Sequence, residues 1–367
     1  MSKTKKLIKK TGSRKRRQRV LLYNKLNVIT YNICWGCMTN NINRCHLDKT
    51  ARKIACTCAN LYNSSNGRYS CARNNYRFLE ETIKIYGELD IIALQEAHNW
   101  SNIYNLLLQK QSNISVINTV VYSNGLPIDI ATFYNKDKIK PRYIYVGDVD
   151  NNGRPYHIIL AECKSLNNTV NKNRNGVIIV NIHNSHHHNK FDLERILSER
   201  LKNYLPFKCS YGIDNYISIG IDDMVPIDNT IDTNDIINWD RYARIIFSGD
   251  TNIHTNKYKD FHNSGFIPFK YSDIPSIKNI IVSSGMFDYP NSTPPRSCCV
   301  GYNKLRSNLY EDFASGDFIL IGGKLRYNTS PNSIIPSNMF IPTSYIADAK
   351  YAPQSDHIPI MSQIVVD

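Results

Sequence analysis

Nine residues, Arg244-Ile245-Ile246-Phe247-Ser248-Gly249-Asp250-Thr251-Asn252, constrain this chain more than any other stretch. A short apolar run bounded by turn residues suits a buried strand. Gly249 lets the backbone bend where the strand leaves its sheet. A carboxylate and an amide, Asp250 and Asn252, then follow two residues apart. A rigid strand end is a good place from which to hold functional groups. Taken alone, the pattern also fits an ordinary turn, in which Asp and Asn are favoured.

The same arrangement recurs along the chain. Leu26 to Ile33 reads as a strand ending in Tyr31-Asn32, Asp90 to Leu94 as one ending in Gln95-Glu96, and Val177 to Ile182 as one ending at His183. Two further runs carry polar residues at their starts: Asp317 opens Asp317 to Ile321, and Ser355-Asp356-His357 precedes Ile358 to Val366. Starts and ends meet on one rim only where neighbouring strands run antiparallel. Mixed sheets follow, because a purely parallel doubly wound sheet collects its functional groups at C-terminal ends alone.

Between these runs, strands are expected at 114–122, 128–135, 142–148 and 157–162, divided by Asn-Gly, Lys-Asp and Asn-Asn-Gly turns. Tyr76, Leu79, Ile83 and Tyr86 repeat at helical spacing, and Gly87 closes that helix. Further helices are expected from Asp48 through Cys58, from Trp100 to Gln109 and from Phe191 to Leu205. The acidic, Asn-rich region 213–238 has no clear period and reads as an excursion from the core. So does the polar segment 286–312, with Pro294-Pro295 and Cys298-Cys299. With 367 residues, 42% of them hydrophobic, the chain has ample material for one large α/β domain. No repeat or linker divides residues 23–367.

The net charge of +14 is unevenly spread: ten Lys or Arg and no acid fall in residues 1–19, leaving +4 for the rest. Such a block repels itself, so residues 1–22 read as a disordered basic arm. It suits a phosphate backbone, a nuclear address or an anionic membrane surface, or else a solubilising tail. No apolar run reaches the ~18 residues of a membrane helix. No secretory signal is visible, which points to an intracellular protein, cytoplasmic or nuclear, with reduced thiols. Six of the ten cysteines crowd the first fifth of the chain, with His46 nearby. Their spacing matches no zinc module, so buried free thiols are the better reading than structural zinc. His186-His187-His188 reads as a loop.

The rim implied by these strands gathers Glu and Asp carboxylates, two Asn and two His. Hard divalent cations such as Mg²⁺ take carboxylate and carbonyl oxygens and keep several waters. Phosphoryl chemistry needs a metal to neutralise charge, an oriented water and donors to the phosphate oxygens. Any single member is more often a solvated strand end; the coincidence of six is the signal.

In these pieces the chain resembles the endonuclease/exonuclease/phosphatase superfamily, with its DNase I-like fold. The matching segments are Leu26–Ile33, Ile92–Glu96, Val180–His183, Ser248–Asn252, Ser315–Ile319 and Ser355–Pro359, in the superfamily's order. The resemblance implies an α/β (α+β) four-layered sandwich: two mixed β-sheets flanked by helices. It also implies divalent-metal hydrolysis of phosphate esters, with Mg²⁺ as cofactor and Mn²⁺ as substitute. Carried over residue by residue, Glu96 is the principal metal ligand, with Asn32 beside it on metal or phosphate and Asp356 assisting. Asp250 orients or deprotonates the attacking water, and Asn252 supports the same phosphate. His357 bonds the phosphate, with Asp317 fixing its tautomer. His183 assists the leaving oxygen. Asp129 is a candidate partner for His183, although a plain strand-entry carboxylate is the simpler reading. A nuclease acting on DNA or RNA is favoured by the basic arm. An inositol-phosphate phosphatase or sphingomyelinase-like phosphodiesterase is the alternative, since fold and core motifs do not fix substrate. A catalytically dead binding module is disfavoured by the retained set.

Overall fold

A computed structural model describes residues 25–33, 70–123, 126–148, 154–163, 176–184, 216–219, 224–226, 244–255, 315–323, 325–327, 357 and 359–366. The basic arm, the cysteine cluster at 34–58, the helices expected at 48–58 and 191–205, and the segment 286–312 lie outside them. The described elements are β1 (Lys25–Asn32), α1 (Ser70–Tyr86), β2 (Ile91–Gln95), α2 (Trp100–Leu108), β3 (Ile114–Ser123), β4 (Leu126–Asn135), β5 (Ile139–Asp148), β6 (Pro155–Cys163) and β7 (Gly176–His183). They continue with β8 (Tyr216–Ile219), β9 (Met224–Pro226), β10 (Arg244–Thr255), β11 (Ser315–Gly323), β12 (Leu325–Tyr327) and β13 (Ile360–Val366).

The strands form two sheets, one of seven in the order β12-β13-β1-β2-β4-β3-β8 and one of six in the order β11-β10-β7-β6-β5-β9. Both are mixed. In the first, β1 runs parallel to β2 and antiparallel to β13. In the second, β10 runs parallel to β7 and antiparallel to β11. The two sheets pack face to face, β1 lying over β10 and β11, and β4 over β6 and β7.

Near-continuous apolar runs are what strands need when both faces are covered. In β1, Ile29 and Tyr31 point outward, into a core with Tyr76, Phe78 and Leu79 of α1 and Ile103, Tyr104 and Leu107 of α2. Thr30 and Asn32, one residue out of step, point inward between the sheets, where they bond Gln95 and Asp250. Gly87 ends α1 at a left-handed φ of 86°, the usual glycine stop. Both described helices thus cover the first sheet. No described helix is long and apolar enough to cross a membrane.

Of the region 213–238, residues 216–219 and 224–226 are described. Its short strands β8 and β9 extend one edge of each sheet, β8 beside β3 and β9 beside β5. Strands of four and three residues are too brief to display a period of two.

Candidate functional site

The site begins with a register. Asp250 in β10 sits opposite His183 of parallel β7 on one side and Asp317 of antiparallel β11 on the other. Asp317 lies near the start of β11, His183 ends β7 and Asp250 lies midway along β10, and antiparallel pairing of β10 with β11 brings these positions together. Gly249 makes the close approach possible. Its φ is +146°, and a Cβ there would lie 2.1 Å from the carbonyl oxygen of Ile182.

The first sheet supplies the other half. Asn32 pairs with Gln95 at the ends of parallel β1 and β2, and Glu96 follows at a left-handed φ of 52°. A non-glycine residue holds that conformation at a cost of ~1 kcal/mol or more. The turn is pinned by Ala97 N–H donating to Asp129 O (2.8 Å) and His98 N–H to Glu96 O (2.9 Å). The Glu96 carboxylate is thereby directed at the second sheet. The Asn32 amide nitrogen donates to Asp250 Oδ2 at 3.0 Å and to Glu96 Oε1 at 3.4 Å, so one side chain ties the two sheets together.

Two imidazoles close the cluster. His183 Nε2 lies 3.6 Å from Glu96 Oε1 and 3.8 Å from Asp250 Oδ2. His357 Nδ1 lies 2.9 Å from Asp317 Oδ2, and its Nε2 3.8 Å from Asp250 Oδ2. A carboxylate only accepts, so the network assigns the Nδ1 proton of His357 to that bond and turns Nε2 toward the cluster. Asp250, Asp317, His183 and His357 are all buried.

The resemblance implies a divalent metal, and the donor set fits one. Asp250, Asp317 and His357 each offer a ligand atom, all within 4.8 Å of one another. The His357 nitrogen on Asp317 is committed to its hydrogen bond, however. The better position for a hard cation is the oxygen-rich side, where the Glu96 and Asp250 carboxylates converge on one amide. Asn32 turns its nitrogen to them, and a half-turn of the amide presents its oxygen instead.

Behind the rim, a buried polar seam joins the sheets. Gln95 Nε2 donates to Asn181 Oδ1 (2.7 Å), and Asn181 Nδ2 donates to Leu94 O, Ala131 O and Thr132 Oγ1. Thr132 and Thr119 hydroxyls then hold the two ring nitrogens of His157 at 2.6 and 3.1 Å. Burial without a charged partner pushes His157 down to about 3, so its ring is neutral. Gln95 precedes Glu96, and Asn181 lies two residues before His183. The seam therefore fixes both strand ends against each other.

Of the residues singled out in the sequence, Asn32, Glu96, His183, Asp250, Asp317 and His357 come together. The Asn252 side chain and Asp356 lie outside the described residues. Asp129 faces His98 at 3.5 Å and not His183. Asp90, also at a strand end, sits at the opposite rim, where Lys138 Nζ (2.9 Å) and Asn27 N–H (2.9 Å) bond it. Arg154 went unnoticed in the sequence. It immediately precedes β6, and its Nη1 contacts His183 Nε2. A strand antiparallel to β7 starts beside the end of β7, and it is this pairing that brings Arg154 to the site.

Fold and rim together define a two-sheet α/β sandwich with an acid–amide–imidazole cluster where the sheets meet. No protein-family model matches the chain. Over 160 residues, 42% of the chain, it is 29% identical to an uncharacterized protein of Acanthamoeba polyphaga mimivirus, and the match spans 27% of that protein's length. Among solved structures it is similar to an endonuclease/exonuclease/phosphatase from Bacteroides vulgatus, at 15% identity and a TM-score of 0.49, covering 94% of this chain and 99% of that one. It is also similar to D. rerio TDP2 complexed with a single-strand DNA product, at 14% identity and a TM-score of 0.45, covering 93% and 98%.

Proposed function

We propose that this chain is a divalent-metal-dependent phosphoesterase, and specifically a nuclease that hydrolyses DNA or RNA phosphodiesters by in-line attack of water. The observation that carries the reading is the Asn32 amide shared by Glu96 and Asp250, 3.4 and 3.0 Å away. It brings carboxylates from both sheets to one point beside two imidazoles.

In this reading Glu96 and Asn32 hold the metal, with Asp356 assisting. When bound, the metal neutralises phosphate charge and favours the metaphosphate-like transition state. Asp250 accepts a proton from the water as its oxygen bonds phosphorus, the opposite P–O bond breaks, and the leaving oxygen takes up a proton from solvent. Asn252 supports the same phosphate. His357 is held by Asp317 at 2.9 Å; it points Nε2 toward the developing charge and loses no reorganisation energy in doing so. Nucleic acid is favoured as substrate by the ten basic residues in positions 1–19, which suit a polyanion.

The test is hydrolysis by the purified protein with Mg²⁺ or Mn²⁺ over plasmid, single-stranded DNA, RNA, inositol phosphates and sphingomyelin. Nucleic-acid cleavage is expected, and Asp250→Ala and His357→Ala are each expected to lower kcat by about 10² to 10⁴ while remaining folded. Wild-type rates in either variant remove the assigned roles. Hydrolysis of inositol phosphates or sphingomyelin without nucleic-acid cleavage moves the substrate to the alternative class.

A further inference from the structure

We propose that Arg154 is a phosphate-binding residue of this site, with His183 as the acceptor that aims it. The proposal rests on the phosphoesterase reading for its substrate, but its geometry stands apart from the metal ligands.

Arg154 is placed firmly at the turn from β5 into β6. Its backbone N–H donates to Asp148 Oδ1 at 2.9 Å, and Asp148 pairs with Pro155 across the hairpin. Next along β6, the Tyr156 ring lies over Gly147, where a Cβ would meet its hydroxyl oxygen at 2.4 Å. Tyr156 also pairs with Ile182 of β7. The start of β6 is thus locked beside the end of β7, and the half-buried Arg154 side chain is delivered to His183.

The contact itself decides the roles. A guanidinium carries only donors and does not give up its proton in proteins. The same Nη1 faces both ring nitrogens of His183, Nδ1 at 3.4 Å and Nε2 more closely, so the imidazole can serve it only as an acceptor; Nε2 also lies 3.6 Å from Glu96 and 3.8 Å from Asp250. The guanidinium of Arg154 brings a fixed positive charge to this side of the cluster.

Among the described residues no carboxylate lies within ion-pair distance of the Arg154 guanidinium, whereas Arg142, on the neighbouring strand, is paired with Glu162 at 2.9 Å. A half-buried guanidinium one side chain from two carboxylates, but bonded to neither, is suited to an incoming anion. Its planar fork matches the non-bridging oxygens of a phosphate, and the Nη1–His183 bond restricts the rotation that such a match otherwise costs. Arg154 would then approach the phosphate from the His183 side while His357 approaches from the Asp317 side.

The experiment measures phosphate binding and turnover separately. Thermal shift of the Mg²⁺-loaded protein is followed over a titration with orthophosphate, for wild type, Arg154→Lys and Arg154→Ala. The backbone bond to Asp148 survives both substitutions, and circular dichroism confirms the fold. Wild type is expected to be stabilised by phosphate, Arg154→Ala to need at least tenfold more phosphate for the same shift, and Arg154→Lys to fall between. In turnover, Arg154→Ala is expected to lose about 10²-fold in kcat/KM, and added guanidinium salt is expected to restore at least tenfold, which a merely structural role would not allow. Loss of phosphate binding in Arg154→Ala, in a protein that cleaves none of the phosphoesters offered, supports this role while overturning the phosphoesterase reading. An equal phosphate shift in wild type and Arg154→Ala, or no shift in wild type, overturns the role of Arg154.

Discussion

Two backbone positions do work here that no side-chain contact reveals. Gly249 at φ +146° leaves no room for a Cβ against the Ile182 carbonyl, and the next residue is Asp250. Gly87, at φ +86°, has nothing within 4 Å of its own missing Cβ. An alanine at either position meets the backbone cost of a left-handed conformation, of order 1 kcal/mol. Only at 249 must a strand also move. Gly249→Ala is therefore expected to lose about 2 kcal/mol or more of stability, together with most activity, because the shift displaces Asp250 from Asn32. Gly87→Ala is expected to lower the melting temperature less and to keep activity. Equal behaviour of the two variants in thermal melts and turnover counts against the claim that close β7–β10 packing positions the site.

At the scale of elements, the seam between the sheets has a pH signature. Both His157 ring nitrogens are held by threonine hydroxyls, 3.1 Å for Nδ1 and 2.6 Å for Nε2, and burial pushes its pKa to about 3. An unfolded chain takes up that proton near pH 6.5, so between about 6.5 and 3 the unfolded state binds more protons than the native one. Stability is then level above the upper limit and falls as pH drops through the window, by at most ~1.4 kcal/mol per pH unit for one group. Urea unfolding between pH 5 and 6.5, above the ordinary carboxylate range, is expected to give a shallower slope for His157→Gln than for wild type. Identical slopes would show that His157 is not held neutral. The seam also marks the limit of what the sequence displays. Strand ends are local, so Asn32, Glu96, His183, Asp250 and Asp317 stood out beside their apolar runs. Asn181 and His157 lie inside such runs and look like interruptions of a core; their value comes from partners 86 and 25 residues away. Asp90 shows the converse, because a polar residue at a strand end announces a rim but not which of the two. Arg154 needed the polarity of β6 against β7, and β8 and β9 were too short to carry a pattern.

For the molecule as a whole, the site is a junction: Asn32 and Glu96 belong to one sheet, and His183, Asp250 and Asp317 to the other. Such a cluster exists only while the sheets are packed. In the absence of a cation its two facing carboxylates oppose that packing, although the Asn32 amide donates to both. A divalent ion held there binds the folded chain alone and stabilises it by mass action, by about 2.7 kcal/mol at a hundred times its Kd. Mg²⁺ or Mn²⁺ is therefore expected to raise the wild-type melting temperature in a concentration-dependent way. The double variant Glu96→Gln, Asp250→Asn removes one charge from each sheet. It is expected to melt no lower than wild type in chelator, since repulsion is relieved while the shape is kept, and to show little response to either metal. A metal-dependent rise of equal size in the double variant would place the ion elsewhere. A double variant much less stable than wild type in chelator would show that the two carboxylates support the packing of the sheets instead of straining it.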